Sequence, residues 1–218
     1  MDQFCKLCVL LLVASPFLIC PVQSQEVPRT MTKVTTKIVE PKPEPGSFAA
    51  QPKTMWRAGT KYARTAEAPD PQNHIHGLAI INEPDAWMIN LFDKSGRHVV
   101  DPGPTFNVHL PIFEQPSGAK LKVNELEFGK EVEFFAKNDA RKSAGEMVDG
   151  KPTVRQEVTF SGGSVVLWTD AKSKKPVRIS LIQGVQRQTI AYVAYDNDLA
   201  FDSTLFQPPT GIAVVDSK

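Results

Sequence analysis

The chain has 218 residues, and its 25 lysines and arginines nearly balance its 24 aspartates and glutamates. A net charge of +1, with both signs mixed along the chain, provides no overall field to attract nucleic acid or anionic membranes. We therefore expect no nucleic-acid partner. The length is sufficient for a domain with a sizeable core.

The segment 1–24 predicts an export signal. Lys6 and an apolar run precede Val22-Gln23-Ser24, which resembles the cleavage site that a signal peptidase prefers. The apolar run is too short for a membrane span, which needs about 20 predominantly apolar residues. Cleavage would leave one β-rich domain, residues 25–218, without a membrane span, in the periplasm or secreted. The alternatives are an uncleaved anchor and lipid modification of Cys20.

All cysteines of the chain lie inside this predicted signal: Cys5, Cys8 and Cys20. Their removal would leave a domain with no disulfide, no thiolate metal ligand and no cysteine nucleophile. The core of that domain would have to be stable without cross-links.

Residues 31–39 alternate as a half-buried strand does, with Val34, Thr36 and Ile38 on one face. A proline-rich insert at 40–46 then interrupts the alternation, because closely spaced prolines fix φ and favour a stiff extended segment. We interpret the insert as a rigid surface loop or linker. The alternative is a docking motif for a partner.

Short strands follow the insert. Trp56, Ala58 and Tyr62 are predicted to share one face of the first strands. Turn residues at 83–85 and 93–96 then separate three apolar segments, a pattern that predicts an antiparallel meander.

A helix is favoured in the middle of the chain. Asn124 and Glu127 resemble an N-terminal cap with its reciprocal partner. One apolar stripe follows at helical spacing: Phe128, Val132, Phe135 and Ala136. Asn138 would end the helix in a left-handed turn. Gly129 disfavours a helix interior by about 1 kcal/mol relative to alanine, so a strand over residues 131–136 is the alternative.

The last third predicts four strands of a large antiparallel sheet, a sandwich or a barrel. Residues 154–160 alternate, whereas residues 165–170 are apolar on both faces and are predicted to be central. Strands near 177–181 and 184–195 follow. A turn is predicted at Asp196-Asn197-Asp198.

Four stretches carry a resemblance to a known group of proteins. Met55 to Arg64 contains a tryptophan, a glycine, a lysine and an arginine, as the early hairpin of that group does. Leu167 to Asp170, Pro176 to Ile179 and Phe206 to Ile212 are similar to its closing strands and tail. The group is the lipoprotein-carrier (Lol-type) superfamily of exported proteins, the outer-membrane lipoprotein-sorting group. The resemblance implies a mainly β (α+β) fold, an incomplete antiparallel β-barrel covered on one side by one or more helices. In that family an apolar cavity between barrel and helices shelters or senses acyl chains of lipids or lipoproteins.

Large aromatic rings are the candidates for lining such a cavity, with ordinary core packing as the alternative: Trp56, Trp87, Phe92, Phe106, Phe113 and Trp168. The distinction matters because a barrel whose interior is filled by its own side chains cannot hold a ligand.

His74 and His76 flank Ile75, so on a strand both imidazoles would point to one face, as half of a zinc site. The other histidines, His98 and His109, have no spacing that completes the site, so we predict no metal and no other cofactor. The sequence contains no nucleophile elbow, phosphate-binding glycine loop or dinucleotide motif. We therefore predict that the protein is not an enzyme, with a hydrolase or metal enzyme as the alternative.

These patterns and the resemblance together favour an exported, non-catalytic binding protein. It would shelter an apolar or acylated ligand, a lipid or a lipoprotein, in a half-barrel cavity by burying apolar surface. The alternative is an envelope interaction or sensing module that docks through the proline-rich insert.

Overall fold

The structure is a computed structural model that describes residues 27–103, 105–113 and 122–217. The predicted export signal and the three cysteines lie outside these described residues, so signal cleavage stays a prediction. Among the described residues, no helix combines the length and the apolar character that crossing a membrane requires.

One sheet organises the described chain. Its strands are β1 (Thr30–Glu40), β2 (Lys53–Ala58), β3 (Tyr62–Ala66), β4 (Gly77–Asn82), β5 (Asp85–Asn90), β6 (Ser95–Val100), β7 (Arg141–Ala144), β8 (Thr153–Phe160), β9 (Gly163–Asp170), β10 (Pro176–Gln183), β11 (Gln186–Ala200) and β12 (Ala213–Ser217). Their spatial order is β12-β6-β5-β4-β3-β2-β1-β11-β10-β9-β8-β7. The sheet stays open, with β12 and β7 as its edges, and the right-handed twist of strands curls a sheet of this size. With one helix in the described chain, this incomplete barrel confirms the predicted fold class.

β1 joins two antiparallel meanders, because it pairs with β2 on one side and with β11 on the other. Its predicted alternation is confirmed, since Val34 and Thr36 are buried on the same face. β9 lies between β8 and β10, and residues 164–169 of that strand are all buried. The prediction that this apolar segment is central is therefore confirmed.

β11 is longer than predicted. The strand continues through Asp196-Asn197-Asp198, where the sequence predicted a turn. Asp198 has a φ of +63°, and the pairing with β1 shifts register between Met31 and Lys33. The irregularity is thus accommodated as a bulge in the ladder rather than as a reversal of the chain.

The predicted helix is confirmed, but its predicted beginning is wrong. The helix, α1, spans Glu131–Lys137 and is preceded by a 3-10 turn at Lys122–Glu125. Gly129 has a φ of +82°, a left-handed conformation that interrupts a regular helix. Asn124 therefore lies too far upstream to cap α1.

The buried face of α1 also differs from the predicted stripe. Glu131, Phe134 and Phe135 are buried, whereas Val132 is 45% exposed. The backbone N–H of Gly129 donates to the Glu131 carboxylate at 2.9 Å, which fixes how the helix begins and which side faces the sheet.

The two faces of the sheet support separate cores. We call the side covered by α1 and residues 106–113 the helix face, and its main core is Ile112, Phe113, Val123, Leu126, Phe134, Phe135, Val165, Leu167, Ile179 and Leu181. The opposite side, covered by residues 201–212, is the tail face, and its main core is Ala58, Leu78, Ile80, Ile89 and Phe206. Trp56 and Tyr62 pack with Ala58 on the tail face, so the prediction that these three share a face is confirmed.

Candidate ligand cavity

A cavity of about 520 Å³ lies on the helix face, where β1, β2, β3 and β11 pass beneath the covering segment. Its floor is formed by strand residues: Thr36, Ile38, Met55, Thr65 and Ile190. Its roof is formed by the covering segment and one residue near α1: Leu110, Pro111, Ile112, Phe113 and Phe128. The alternation of strand side chains places the floor residues on one face, so the sheet contributes an apolar surface with two threonine hydroxyls.

The helix face is filled at one end and hollow at the other. Over β9 and β10, Phe134 and Phe135 of α1 belong to a continuous buried core. Over β1 and β2 the roof is the irregular segment 110–113 instead of a helix, and the sheet side chains beneath it do not fill the space. The interior that the sequence left undecided is therefore partly packed and partly open.

The proline-rich insert forms one edge of the cavity. Pro41, Lys42 and Pro43 line it, next to Glu40 at the end of β1. Lys53 also lies at this edge, where its ammonium group forms an ion pair of 2.6 Å with Glu67. The insert is thus part of the cavity wall, and the cavity has charged groups at its rim and apolar groups inside.

A buried ion network attaches the covering segment to the sheet. The Glu127 carboxylate lies 3.2 Å from Arg57 Nη2 and 3.0 Å from Lys130 Nζ, and it accepts from the backbone N–H of Leu110 at 3.3 Å. Arg57 Nε also donates to the carbonyl oxygen of Phe128 at 2.8 Å. Burial alone would raise the pKa of Glu127, but the charges of Arg57 and Lys130 outweigh it and hold the pKa below its usual value. The cover is therefore anchored by a charged, hydrogen-bonded group.

A second buried carboxylate, Glu131, has no cation among its hydrogen-bond partners in the described chain. Tyr192 and Tyr195 of β11 donate their hydroxyls to it at 2.9 and 3.2 Å. Burial raises the pKa of Glu131 above its usual value, because desolvation exceeds the effect of these hydrogen bonds. Burial also raises the pKa of both tyrosines, so their hydroxyls keep their protons and remain donors. This cluster holds the first turn of α1 on the sheet.

The six candidate rings do not gather at one place. Phe113 is buried and lines the cavity, and Phe106 belongs to the same covering segment, packed against Ala63, Ile81 and Ala86. Trp56 and Trp87 pack on the tail face against the chain end.

Trp168 and Phe92 lie elsewhere. Trp168 packs with Val148 and Val166, beside a smaller pocket of about 250 Å³ that includes Arg178 and Glu146. Phe92 is 42% exposed, near the rings of His74 and His76. The structure therefore brings only the two covering-segment phenylalanines to the helix face.

His74 and His76 do not lie on a strand. The bridge between Asp70 and Ile75 closes a turn that contains His74, which has a φ of +51°, and His76 follows that bridge directly before β4. Among the described residues, no three histidine, cysteine, aspartate or glutamate side chains are grouped as a metal site.

The other two histidines have carboxylate partners. His98 bridges Asp85 and Asp216 with nitrogen–oxygen distances of 2.7 and 2.8 Å, which joins β12 to β5. His109 Nδ1 lies 3.5 Å from the carboxylate of Glu127. Each of these contacts attaches one structural segment to another.

Sequence reasoning did not single out the apolar residues that surround the cavity: Ile38, Met55, Leu110, Ile112, Phe128 and Ile190. The sequence did indicate the position of Ile38, because the alternation of β1 places it on the same face as Val34 and Thr36. The other floor residues depend on which strands become neighbours, and the roof depends on an irregular segment with no periodicity.

Comparison with known proteins shows a likeness of fold. No family model matches the chain, and no curated protein matches it in sequence. A crystal structure of an uncharacterized conserved protein from Thermus thermophilus is similar, with a TM-score of 0.54 and 9% identity over 87% of this chain and 91% of that one. The two proteins share a fold.

Two further solved structures match less well. MucB, in its complex with MucA(peri), has a TM-score of 0.45 and 13% identity over 85% of this chain, which spans 57% of that protein. A LolA superfamily protein from Nitrosomonas europaea has a TM-score of 0.34 and 10% identity over 84% of this chain and 91% of that one. The second of these two belongs to the lipoprotein-carrier group that stretches of the sequence resemble.

Proposed function

We propose that this chain is an exported, non-catalytic binding protein that shelters an apolar or acylated ligand, a lipid or the acyl part of a lipoprotein. The cavity beneath residues 110–113 is the site. The observation that supports this most directly is a space of about 520 Å³ with an apolar lining on the covered face of an open barrel. Ligand pockets commonly measure about 300–1,000 Å³, so a chain of methylene groups fits this volume.

The chemistry of the lining favours holding over conversion. Ile38, Ile112 and Ile190 offer only apolar surface, and burial of an apolar ligand against them is favourable by about 25 cal/mol per Å². The charged groups nearest to the roof, Glu127 and Arg57, are bound to each other at 3.2 Å and hold the cover in place. Holding an apolar ligand requires no titratable group.

Export belongs to the proposal as well. It rests on the segment 1–24, with its apolar run and the predicted cleavage site at Val22-Gln23-Ser24. The domain would then be residues 25–218, in the periplasm or secreted.

The alternative is an interaction module that docks a partner through the proline-rich insert. Pro41 and Pro43 form the cavity wall, which favours a role in ligand binding over an independent docking role. Replacing Pro41, Pro43 and Pro45 by alanine separates the two. Ligand binding should weaken if the insert is a wall, and it should stay unchanged if the insert is a docking motif.

The proposal is tested with a dansyl-labelled fatty acid that fluoresces on entering an apolar site, displaced by palmitate. Thr65→Trp places an indole at the cavity floor, so probe binding should weaken at least about tenfold, equivalent to 1.4 kcal/mol. The matched control is Thr159→Trp, on the exposed side of β8, which should bind like the wild type. A well-folded wild type that binds no probe, or equal binding by both variants, contradicts the proposal.

A further inference from the structure

The helix face has a second open space beside the covered cavity. A groove of about 780 Å³ runs over β3, β4, β5, β6 and β12. Thr65 lines both the groove and the cavity, so the two spaces meet at β3. An occupant of the covered cavity can therefore continue along the open part of the same face.

A straight row of side chains connects the two spaces. Met55 pairs with Thr65, Thr65 with Ala79, Ala79 with Met88, and Met88 with Arg97. Met55 is 5% exposed at the covered end, whereas Met88 is 51% exposed in the groove. Neighbouring strands lie about 4.8 Å apart, so the row from Met55 to Arg97 spans roughly 19 Å. That length exceeds half of a ~30 Å hydrocarbon core, which is the share of one acyl chain.

The open end of the row is positively charged. Arg97 lines the groove and is exposed, and it belongs to none of the ion pairs between described residues. Glu67 also lines the groove, at its β3 side, but its carboxylate is bound to Lys53 at 2.6 Å. The cross-strand row thus begins in apolar, covered surroundings and ends at a guanidinium group that is accessible to an anion.

We propose that the ligand is a long-chain fatty acid, whose tail lies in the covered cavity and whose carboxylate is bound by Arg97. This inference rests on the proposed function and specifies its ligand. The row favours an extended chain, because it runs in one line from the covered cavity to the open groove. Arg97 favours an acid, because a guanidinium group can bind a carboxylate with two parallel hydrogen bonds.

The head group is tested by comparing palmitate with 1-hexadecanol, an uncharged ligand with the same chain. The wild type should bind palmitate more tightly, and Arg97→Gln should remove about fivefold of that preference, the upper range for an exposed ion pair. Arg29→Gln, an exposed arginine ahead of β1, is the matched control and should keep the preference.

The course of the chain is tested with Ala79→Trp, which narrows the open groove, and with Ala144→Trp on the exposed strand β7 as control. Ala79→Trp should weaken binding of palmitate but not of decanoate, which fits within the covered cavity. If the wild type binds palmitate and hexadecanol equally, or if Arg97→Gln keeps the wild-type preference for palmitate, this inference is overturned and the proposed function stays intact. Tighter binding of dipalmitoyl phosphatidate than of palmitate overturns it as well. Binding of none of these ligands contradicts the proposed function itself.

Discussion

Glu127 and Glu131 lie four residues apart at the start of α1, and removal of their charges should change the stability of the fold by different amounts. Both carboxylates are buried. Glu127 is bound by two cations, Arg57 and Lys130, whereas Glu131 is held by two tyrosine hydroxyls and a backbone N–H. The substitutions Glu127→Gln and Glu131→Gln keep the size of each side chain and remove only its charge.

The magnitude follows from what each substitution leaves behind. Glu127→Gln leaves the buried guanidinium of Arg57 without its counterion, and breaking a buried ion pair costs about 3–5 kcal/mol. Lys130 is 26% exposed and can reach water, so we expect about 3 kcal/mol. In Glu131→Gln the new amide oxygen can accept from Gly129, and the amide group can donate to a tyrosine oxygen. We therefore expect the free energy of unfolding of Glu131→Gln to lie within about 1 kcal/mol of the wild-type value, because hydrogen bonds between neutral groups are retained.

The dependence on pH provides a second readout. The pKa of Glu131 is raised by burial, so its neutral form stabilises the fold at low pH, and that contribution is lost as pH rises through the raised pKa. The pKa of Glu127 is lowered, because Arg57 and Lys130 outweigh burial, so its contribution is lost as pH falls through the lowered pKa. Glu131→Gln should therefore gain relative to the wild type at higher pH, and Glu127→Gln should lose most there.

The assay is urea unfolding of the two variants and the wild type, from pH values below the lowered pKa of Glu127 to pH values above the raised pKa of Glu131. Glu133→Gln, on the exposed side of α1, is the control and should change the free energy of unfolding by less than about 0.5 kcal/mol. Equal destabilisation by Glu127→Gln and Glu131→Gln would refute the reasoning, because it would mean that the cations near Glu127 make no difference.

Two further predictions concern the other segments. The hydrogen bonds from His98 to Asp216 and Asp85 raise the pKa of His98, so its stabilising contribution is lost as pH rises through that pKa. Hydrogen exchange of β12 amides should therefore accelerate with pH beyond the intrinsic rate in the wild type but not in His98→Gln, and equal acceleration in both speaks against a role for His98. Trp56, Trp87 and Trp168 pack away from the cavity, so palmitate should leave the tryptophan emission unchanged. A blue shift on binding would place the ligand on the tail face.

Local alternation accounts for the parts of the fold that the sequence predicts well. The buried face of β1 and the shared face of Trp56, Ala58 and Tyr62 depend on the alternation of side chains along a strand. A strand fixes that geometry by itself. The central position of β9 follows instead from apolar residues on both of its faces. The parallel pairing of β12 with β6 is different, because it joins segments more than a hundred residues apart and has no local signature.

The helix shows why a local pattern can also mislead. Asn124, Glu127 and the apolar stripe satisfied helical spacing, but the left-handed Gly129 separates the part of this pattern that ends at Phe128 from α1. Whether that glycine lies inside the helix or before it decides which residues are buried. The choice depends on the contacts of Glu131 with β11, which only the folded chain provides.

The type of site could be predicted, but most of the residues that line it could not. The resemblance to the lipoprotein-carrier superfamily implied an apolar cavity under a covered sheet, and the structure contains a largely apolar cavity there. The largest aromatic rings were the natural candidates, yet Trp56 and Trp87 pack on the tail face, where they fill space. Medium-sized side chains such as Ile38 and Met55 form the floor of the cavity, whereas large rings contribute only to its roof.

The most direct test of the central claim is isotope-filtered NMR of ¹³C-labelled palmitate bound to the protein. The hollow helix face predicts intermolecular contacts between the acyl chain and the methyl groups of Ile38, Ile112 and Ile190. Contacts with the tail-face methyl groups of Ile80 and Ile89 instead, or a bound chain that contacts no interior methyl group, would contradict the account.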